Sequence, residues 1–203
     1  MTDSRRAFLS AADSYVAQVA RIPVSALTER GLGSWDLRAL VGHASRSLVT
    51  VETYLDSPAD DLDVPDAAAY YLAVAGLQNA EPSAVVERGR AAGAAMGEVP
   101  GAYVRDLHAR VADKLTSFGD DFRLATIAGG MPLDEYLRTR IFELVVHGLD
   151  IAAACGVDPA FEEGPLVDST TLAAEVAVRT GRGPEVLLAL SGRRPLGAGF
   201  SVV

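Results

Sequence analysis

Glu143 and His147 are the residues of this chain whose types and spacing speak most directly of chemistry. They stand four apart in a segment of helical periodicity, so their Cβ atoms lie about 5–6 Å apart on one face and both side chains can reach a single metal ion. At about 100° per residue, Ile141, Leu144, Val145, Leu149, Ile151 and Ala152, with Phe142 and Val146 beside them, cover well over half of the helix circumference. The remaining arc carries Tyr136, Arg140, Glu143, His147 and Asp150, and polar groups on so apolar a helix need partners. A histidine–carboxylate hydrogen bond or a solvated seam would satisfy the pair without a metal. His43, on another helix and at the edge of its apolar stripe, sits where a residue facing an interhelical cleft would sit, and equally where a half-exposed structural histidine would. Together, two His and one Glu give three protein donors and leave a position open, the arrangement of a catalytic rather than a closed structural zinc site.

Other side chains have possible supporting roles. Asp150 can orient a ligating imidazole, since such rings usually donate their second N–H to a carboxylate, but capping or an ion pair with Arg140 is an equal alternative. Arg140 and Arg138 can hold a substrate carboxylate through two parallel hydrogen bonds, with Arg138 reading more simply as an exposed helix arginine. Arg193 and Arg194, near the C-terminus, can meet an anionic part of a ligand or belong to a solvated turn. Trp35 reads as a packing anchor and His108 as a surface or packing residue. The single cysteine, Cys155, excludes an intramolecular disulfide and a cysteine-rich zinc knuckle, and reads as a small buried hydrophobe.

The elements that must position these residues are almost all helical. Ser4 can cap a first helix to about Arg21, with Phe8, Ala12, Tyr15, Val16 and Val19 on its apolar face. Ser34 is a good N-cap for a second, in which Leu37, Leu40, Val41, Ala44, Leu48, Val51 and Leu55 repeat at three and four, and Asp36 suits its first turn. An acidic loop spans Asp60 to Asp66. Helices are expected over Ala67 to Asn79, Pro82 to Met96 and Ala102 to Phe118, followed by an irregular or briefly extended crossover from Phe122 to Met131. Pro132 opens the last long helix, which runs to about Ala154 before Gly156, and two shorter ones are expected over Asp168 to Thr180 and Pro184 to Leu190. The pattern predicts an all-α four-helix bundle over residues 1–158, with a short helical C-terminal extension over 159–203 packed on it. Bundles place metal and ligand sites between facing helices.

Composition narrows the function classes. The 203 residues are 49% hydrophobic and 22% charged, enough to bury a core in one domain. No apolar run approaches the roughly 18 residues of a membrane span, and Met1 to Arg21 is amphipathic rather than a secretion signal, so a cytoplasmic protein is expected. A net charge of −9 repels phosphate backbones and disfavours nucleic acid as a partner. There is no glycine-rich nucleotide loop, no phosphate-binding Gly-Lys-Ser/Thr loop, no Gly-x-Ser-x-Gly elbow and no His-Glu-x-x-His pair.

Two segments carry a family resemblance. Trp35-Asp36-Leu37-Arg38-Ala39-Leu40-Val41-Gly42-His43 resembles the Trp-x-x-x-x-Leu-x-x-His segment of the mycothiol-dependent maleylpyruvate isomerase family. Tyr136 to Arg140, followed by Glu143-Leu144-Val145-Val146-His147-Gly148-Leu149-Asp150, resembles its second signature, Glu-x-x-x-His-Gly-x-Asp. That family belongs to the DinB-like superfamily of four-helix metalloproteins, and the resemblance covers about residues 5–157. It implies a DinB-like bundle and a divalent metal, zinc above all, held by His43, Glu143 and His147. It further implies a low-molecular-weight thiol such as mycothiol as cofactor. In the isomerase that names the family, the thiolate adds to a cis double bond, rotation follows, and elimination yields the trans isomer. The full isomerase also carries a second α/β domain that residues 159–203 are too few to form, although Leu187 to Pro195 resembles the Leu-rich Gly-Arg ending of shorter members. The expectation is a thiol-dependent isomerase or S-transferase acting on a small electrophile. The competing expectation is a non-catalytic bundle that binds a metal or ligand, or serves as a homodimer scaffold.

Overall fold

A computed structural model describes residues 2–78 and 82–203. Helix α1 spans Asp3–Ala20 and is capped by Thr2, whose hydroxyl accepts from the Arg5 amide at 3.4 Å, so Ser4 lies inside the helix rather than at its cap. A 3-10 turn over Val24–Thr28 leads to α2, Leu37–Tyr54. The cap of α2 is Asp36, accepting from the Ala39 amide at 2.7 Å, where Ser34 was expected. A carboxylate at this position both accepts an orphan amide and meets the positive end of the helix dipole. Ser34 and Trp35 are left in a loop pinned by the Gly31 amide on the Trp35 carbonyl and the Leu37 amide on the Glu29 carbonyl.

Three further helices follow: α3, Ala67–Gln78; α4, Pro82–Ala95; and α5, Pro100–Leu115. Asn79, expected to end α3, lies outside the described residues. The segment expected to be an irregular crossover is a hairpin: β1, Arg123–Thr126, pairs antiparallel with β2, Gly129–Pro132, in the register Arg123 to Pro132 and Thr126 to Gly129. Leu124 and Met131 are partners in that register, and both are fully buried. This inward pair anchors strands too short to announce themselves by alternation. The hairpin feeds directly into α6, Leu133–Cys155, which Gly156 closes in the left-handed conformation at φ +73°. Helix α7, Glu163–Arg179, begins five residues before the expected Asp168, and α8 spans Gly183–Leu190.

Helices α1, α6, α2 and α5 pack in a closed ring, each touching the next, which is a four-helix bundle. Its interior holds Phe8, Tyr15, Leu40, Leu48, Leu107, Val111, Leu137, Ile141 and Leu144, all fully buried. Helix α4 lies along the outside of α2 at very short range, because Gly42 and Gly93 face each other. A Cβ on Gly42 would sit 2.2 Å from the Gly93 nitrogen, so neither helix tolerates a side chain there. Helix α7 packs on α6, α3 and α1 and sends Leu172, Val176 and Ala177 into buried positions, while α8 packs on α7.

Arg138 departs from its expectation as an exposed residue. It is largely covered and joins α6 to α7 through Asp168 at 2.9 Å and Glu175 at 3.1 Å, with Glu135 at 3.2 Å on its own helix. Leu149, expected on the apolar face of α6, is 51% exposed, whereas Tyr136, expected on the polar arc, is fully buried. Tyr136 is covered by Tyr54 at the end of α2, with ring centroids 5.4 Å apart, and by Tyr70 of α3 at 6.0 Å. No helix among the described residues is long and apolar enough to cross a membrane.

Candidate metal centre

The packing of α2 against α6 brings His43 to Glu143 and His147. Donor atoms of the three side chains all lie within 4.8 Å of one another, although His43 is 100 residues away from Glu143 in the sequence. Each residue is half-buried, and the side chains of His147 and Glu143 retain 14% and 24% exposure, so the group is reachable from solvent.

Two aromatic rings pack against His43. The Trp35 ring lies tilted against it at 4.5 Å, and the Trp35 indole N–H donates to the Val86 carbonyl of α4 at 3.0 Å. Gly89 makes room for that indole, since a Cβ there would fall 2.7 Å from the ring. The His147 ring also meets His43, nearly perpendicular to it, with centroids 4.8 Å apart. Burial, followed by the positive charge of His147, lowers the His43 pKa to about 4, so its ring is neutral at pH 7 and keeps a lone pair. Its Nδ1 is buried without a hydrogen-bond partner, an orphan that costs free energy unless something outside the protein satisfies it.

His147 and Glu143 form the second half. His147 Nε2 lies 3.3 Å from Glu143 Oε2, and Nδ1 lies 3.0 Å from Asp150 Oδ2. Burial acts to lower the His147 pKa, but the hydrogen bonds to Asp150 and Glu143 outweigh it and raise the value to about 9. Burial likewise acts to raise that of Glu143, and is outweighed by the His147 hydrogen bond and the Arg140 charge, which bring it down to about 2. Without a metal the pair is therefore an ion pair, with the proton on His147 and the Glu143 carboxylate charged. Two donors around a tetrahedral zinc, with bonds of about 2.0–2.2 Å, stand roughly 3.3–3.6 Å apart. The pair is already at that separation, and with a His43 nitrogen the N₂O donor set, all within 4.8 Å, suits a divalent ion.

Gly148, next to His147, is where α6 meets the chain beyond it. A Cβ there would fall 2.6 Å from the Phe161 ring, and the Gly148 carbonyl accepts from Gln18 of α1 at 2.8 Å. The glycine of the second signature is thus required by packing directly behind the site.

The remaining candidates divide. Asp150 contacts His147, and Arg140 has no ion pair to it among the described residues. Arg140 lies over the rings of Tyr136 at 5.0 Å and Tyr70 at 5.6 Å, with Nε donating to Thr139 Oγ1 at 3.0 Å, and its charge acts on Glu143. Arg193 and Arg194 occupy an exposed turn after α8, where both backbone amides bond to the Leu188 carbonyl and the Arg193 side chain bonds to the Ser191 carbonyl. The structure does not bring them to the cluster. His108, on α5, lies 3.6 Å from Asp13, and Cys155 is half-buried with its thiol donating to the Ile151 carbonyl.

Sequence reasoning missed Tyr71 of α3, whose hydroxyl donates to Glu143 Oε1 at 2.8 Å. It also gave Trp35 no contact with His43. Helical spacing gave no signal for the latter, because Trp35 precedes the Asp36 cap of α2 and reaches His43 from the loop. Nor did one exist for Tyr71, which is 72 residues from its partner.

The model of the mycothiol maleylpyruvate isomerase N-terminal domain matches residues 6–152. Comparison with curated proteins and with solved structures returned no match. The matched stretch includes His43, Glu143, His147 and Asp150 and ends before α7. With most of the chain covered and the two signature segments meeting in space, this protein belongs to the mycothiol maleylpyruvate isomerase N-terminal domain family.

Proposed function

We propose that the protein is a metal-dependent enzyme that uses a low-molecular-weight thiol, mycothiol or a close analogue, to isomerise a small electrophile or to join the thiol sulfur to it, with zinc on His43, Glu143 and His147. The observation that supports this most directly is the His–Glu–His group itself, with donor atoms within 4.8 Å of one another inside the matched family region. His43, Glu143 and His147 would hold a divalent ion whose Lewis acidity would favour the thiolate form of a thiol near neutral pH, a nucleophile that needs no protein cysteine.

The chain's own residues prepare the rest. Asp150 accepts the Nδ1 proton of His147 and so turns the Nε2 lone pair toward Glu143 and His43. Trp35 covers one face of His43 and limits the water that reaches it. Arg140, one turn before Glu143 on α6, adds positive potential that attracts an anionic substrate or thiol. Cys155 has no role in this scheme, its thiol being engaged by the Ile151 carbonyl at the far end of α6.

The test is turnover of a cis-enedioate or an alkylating electrophile by zinc-loaded protein, with and without mycothiol. The expected result is consumption that requires both thiol and metal and disappears in His147→Ala. Stoichiometric metal uptake with no thiol-dependent turnover of either substrate type would instead establish a non-catalytic metal-binding bundle.

A further inference from the structure

One contact to the cluster comes from an element that supplies no donor. Tyr71 of α3 donates its hydroxyl to Glu143 Oε1 at 2.8 Å, while the other oxygen of the same carboxylate, Oε2, faces His147 Nε2 at 3.3 Å. We propose that Tyr71 is a positioning residue that restricts Glu143 to donation through one oxygen, so that the carboxylate fills a single coordination position and another stays free for a ligand from solution. This rests on the metal reading above and adds to it the residue that keeps the site open.

The geometry supports a dedicated contact. Carboxylates bind metals through one oxygen or two, and an unrestrained one can chelate. A phenol hydroxyl on Oε1 competes for the lone pairs that chelation would use. Tyr71 is only 8% exposed, and its ring is wedged edge-on against Phe142 at 5.3 Å and Tyr70 at 5.9 Å, so the hydroxyl cannot swing out to water. Its own hydrogen-bonding need does not require Glu143, because the Thr139 carbonyl lies 3.2 Å away. Helix α3 is in turn tied to the helix that carries Glu143: Glu135 of α6 accepts from the Ala67 amide at 2.9 Å. Asp66, just before α3, also pairs with Arg179 of α7 at 2.8 Å. The hydroxyl is thus held in register with the carboxylate from both ends of the contact.

The experiment loads wild type, Tyr71→Phe and Tyr54→Phe with cobalt(II) and records the visible spectrum and the affinity by chelator competition. Tyr54→Phe removes a hydroxyl from a neighbouring ring that has no contact with Glu143. Tyr71→Phe is expected to weaken cobalt binding about tenfold and to lower visible absorption as the coordination number rises, while Tyr54→Phe leaves both unchanged. Zinc-edge X-ray absorption on the wild type, which needs no variant to fold, is expected to show a carboxylate bound through one oxygen. A wild type that binds cobalt with the same spectrum and affinity as Tyr71→Phe, or a chelating carboxylate in the zinc-loaded wild type, overturns the inference and leaves the metal site standing. A wild type that takes up no cobalt or zinc overturns both.

Discussion

Asp150 and His147 show at the residue scale how a three-residue interval becomes chemistry. The Asp150 carboxylate lies 3.0 Å from His147 Nδ1, which makes Nε2 the nitrogen that faces the other donors. Asp150→Asn keeps the shape but loses the charge that fixes the tautomer, and is expected to weaken metal binding by about 10–100-fold, as read by chelator competition. The same ring sets the pH dependence. His147 carries a proton up to about pH 9 in the metal-free protein, so a metal must displace it. Affinity should therefore fall about tenfold for each pH unit below 9 across the range where that one proton is released, and calorimetry in buffers of different ionisation enthalpy should count one proton per metal. In the absence of metal the sign is reversed for stability: the raised pKa contributes stability that is fully present below about 6.5 and is lost as pH rises through about 9. His43 works the other way, its lowered pKa costing stability as pH falls from 6.5 toward about 4. Glu143, His147 and Asp150 were legible because i, i+3 and i+4 neighbours on a helix need no tertiary knowledge. The hydroxyl of Tyr71 was not, since nothing local to residues 70 and 71 encodes which helix α3 will meet.

At the scale of elements, Arg138 carries the most consequence. It sits between α6 and α7 with three carboxylates around it, and the side chains of Arg138, Asp168, Glu135 and Glu175 are 16%, 21%, 29% and 39% exposed. Arg138→Ala leaves these acids facing one another with little water. Discounted for their partial exposure, the expected loss is about 1–3 kcal/mol, measurable as a lower urea midpoint with an unchanged slope. Helical periodicity was enough to place α1, α2, α5 and α6 to within a few residues, because each carries a long apolar stripe. Where prediction erred, the competing physics is specific. Two four-residue strands containing Gly129 and Gly130 present no alternation to read, and their hairpin is secured by the Leu124 and Met131 pair deep in the core. Pro165 hid the start of α7, since a proline in the first turn is compatible with a helix but is easily read as a break. The caps at Thr2 and Asp36 displaced the equally suitable Ser4 and Ser34 by two residues each.

Across the whole molecule, the bundle and the C-terminal helices share one apolar interior. Leu172 and Val176 of α7 are at most 2% exposed and pack in the same cluster as Phe8, Leu40 and Ile141. Removing residues 159–203 would uncover that face and release Arg138 from two of its partners. Leu172 and Val176 each contribute roughly 1.5–3 kcal/mol by burial, so the truncated chain is expected to melt at lower temperature and to bind a hydrophobic dye. A truncated chain with the full-length melting temperature would show that α7 is dispensable to the bundle. The net charge of −9 gives the protein no general attraction for phosphate backbones, so the local positive potential of Arg140 stands out beside the His–Glu–His group. The chemistry of the whole protein depends on that group holding a metal. The most direct measurement is the metal content of protein purified without added metal, beside His43→Ala and His147→Ala purified in the same way. Near-stoichiometric zinc or another divalent ion in the wild type, lost from both variants, is the predicted result; a metal-free wild type that also fails to load zinc, or variants that retain the metal in full, would contradict it.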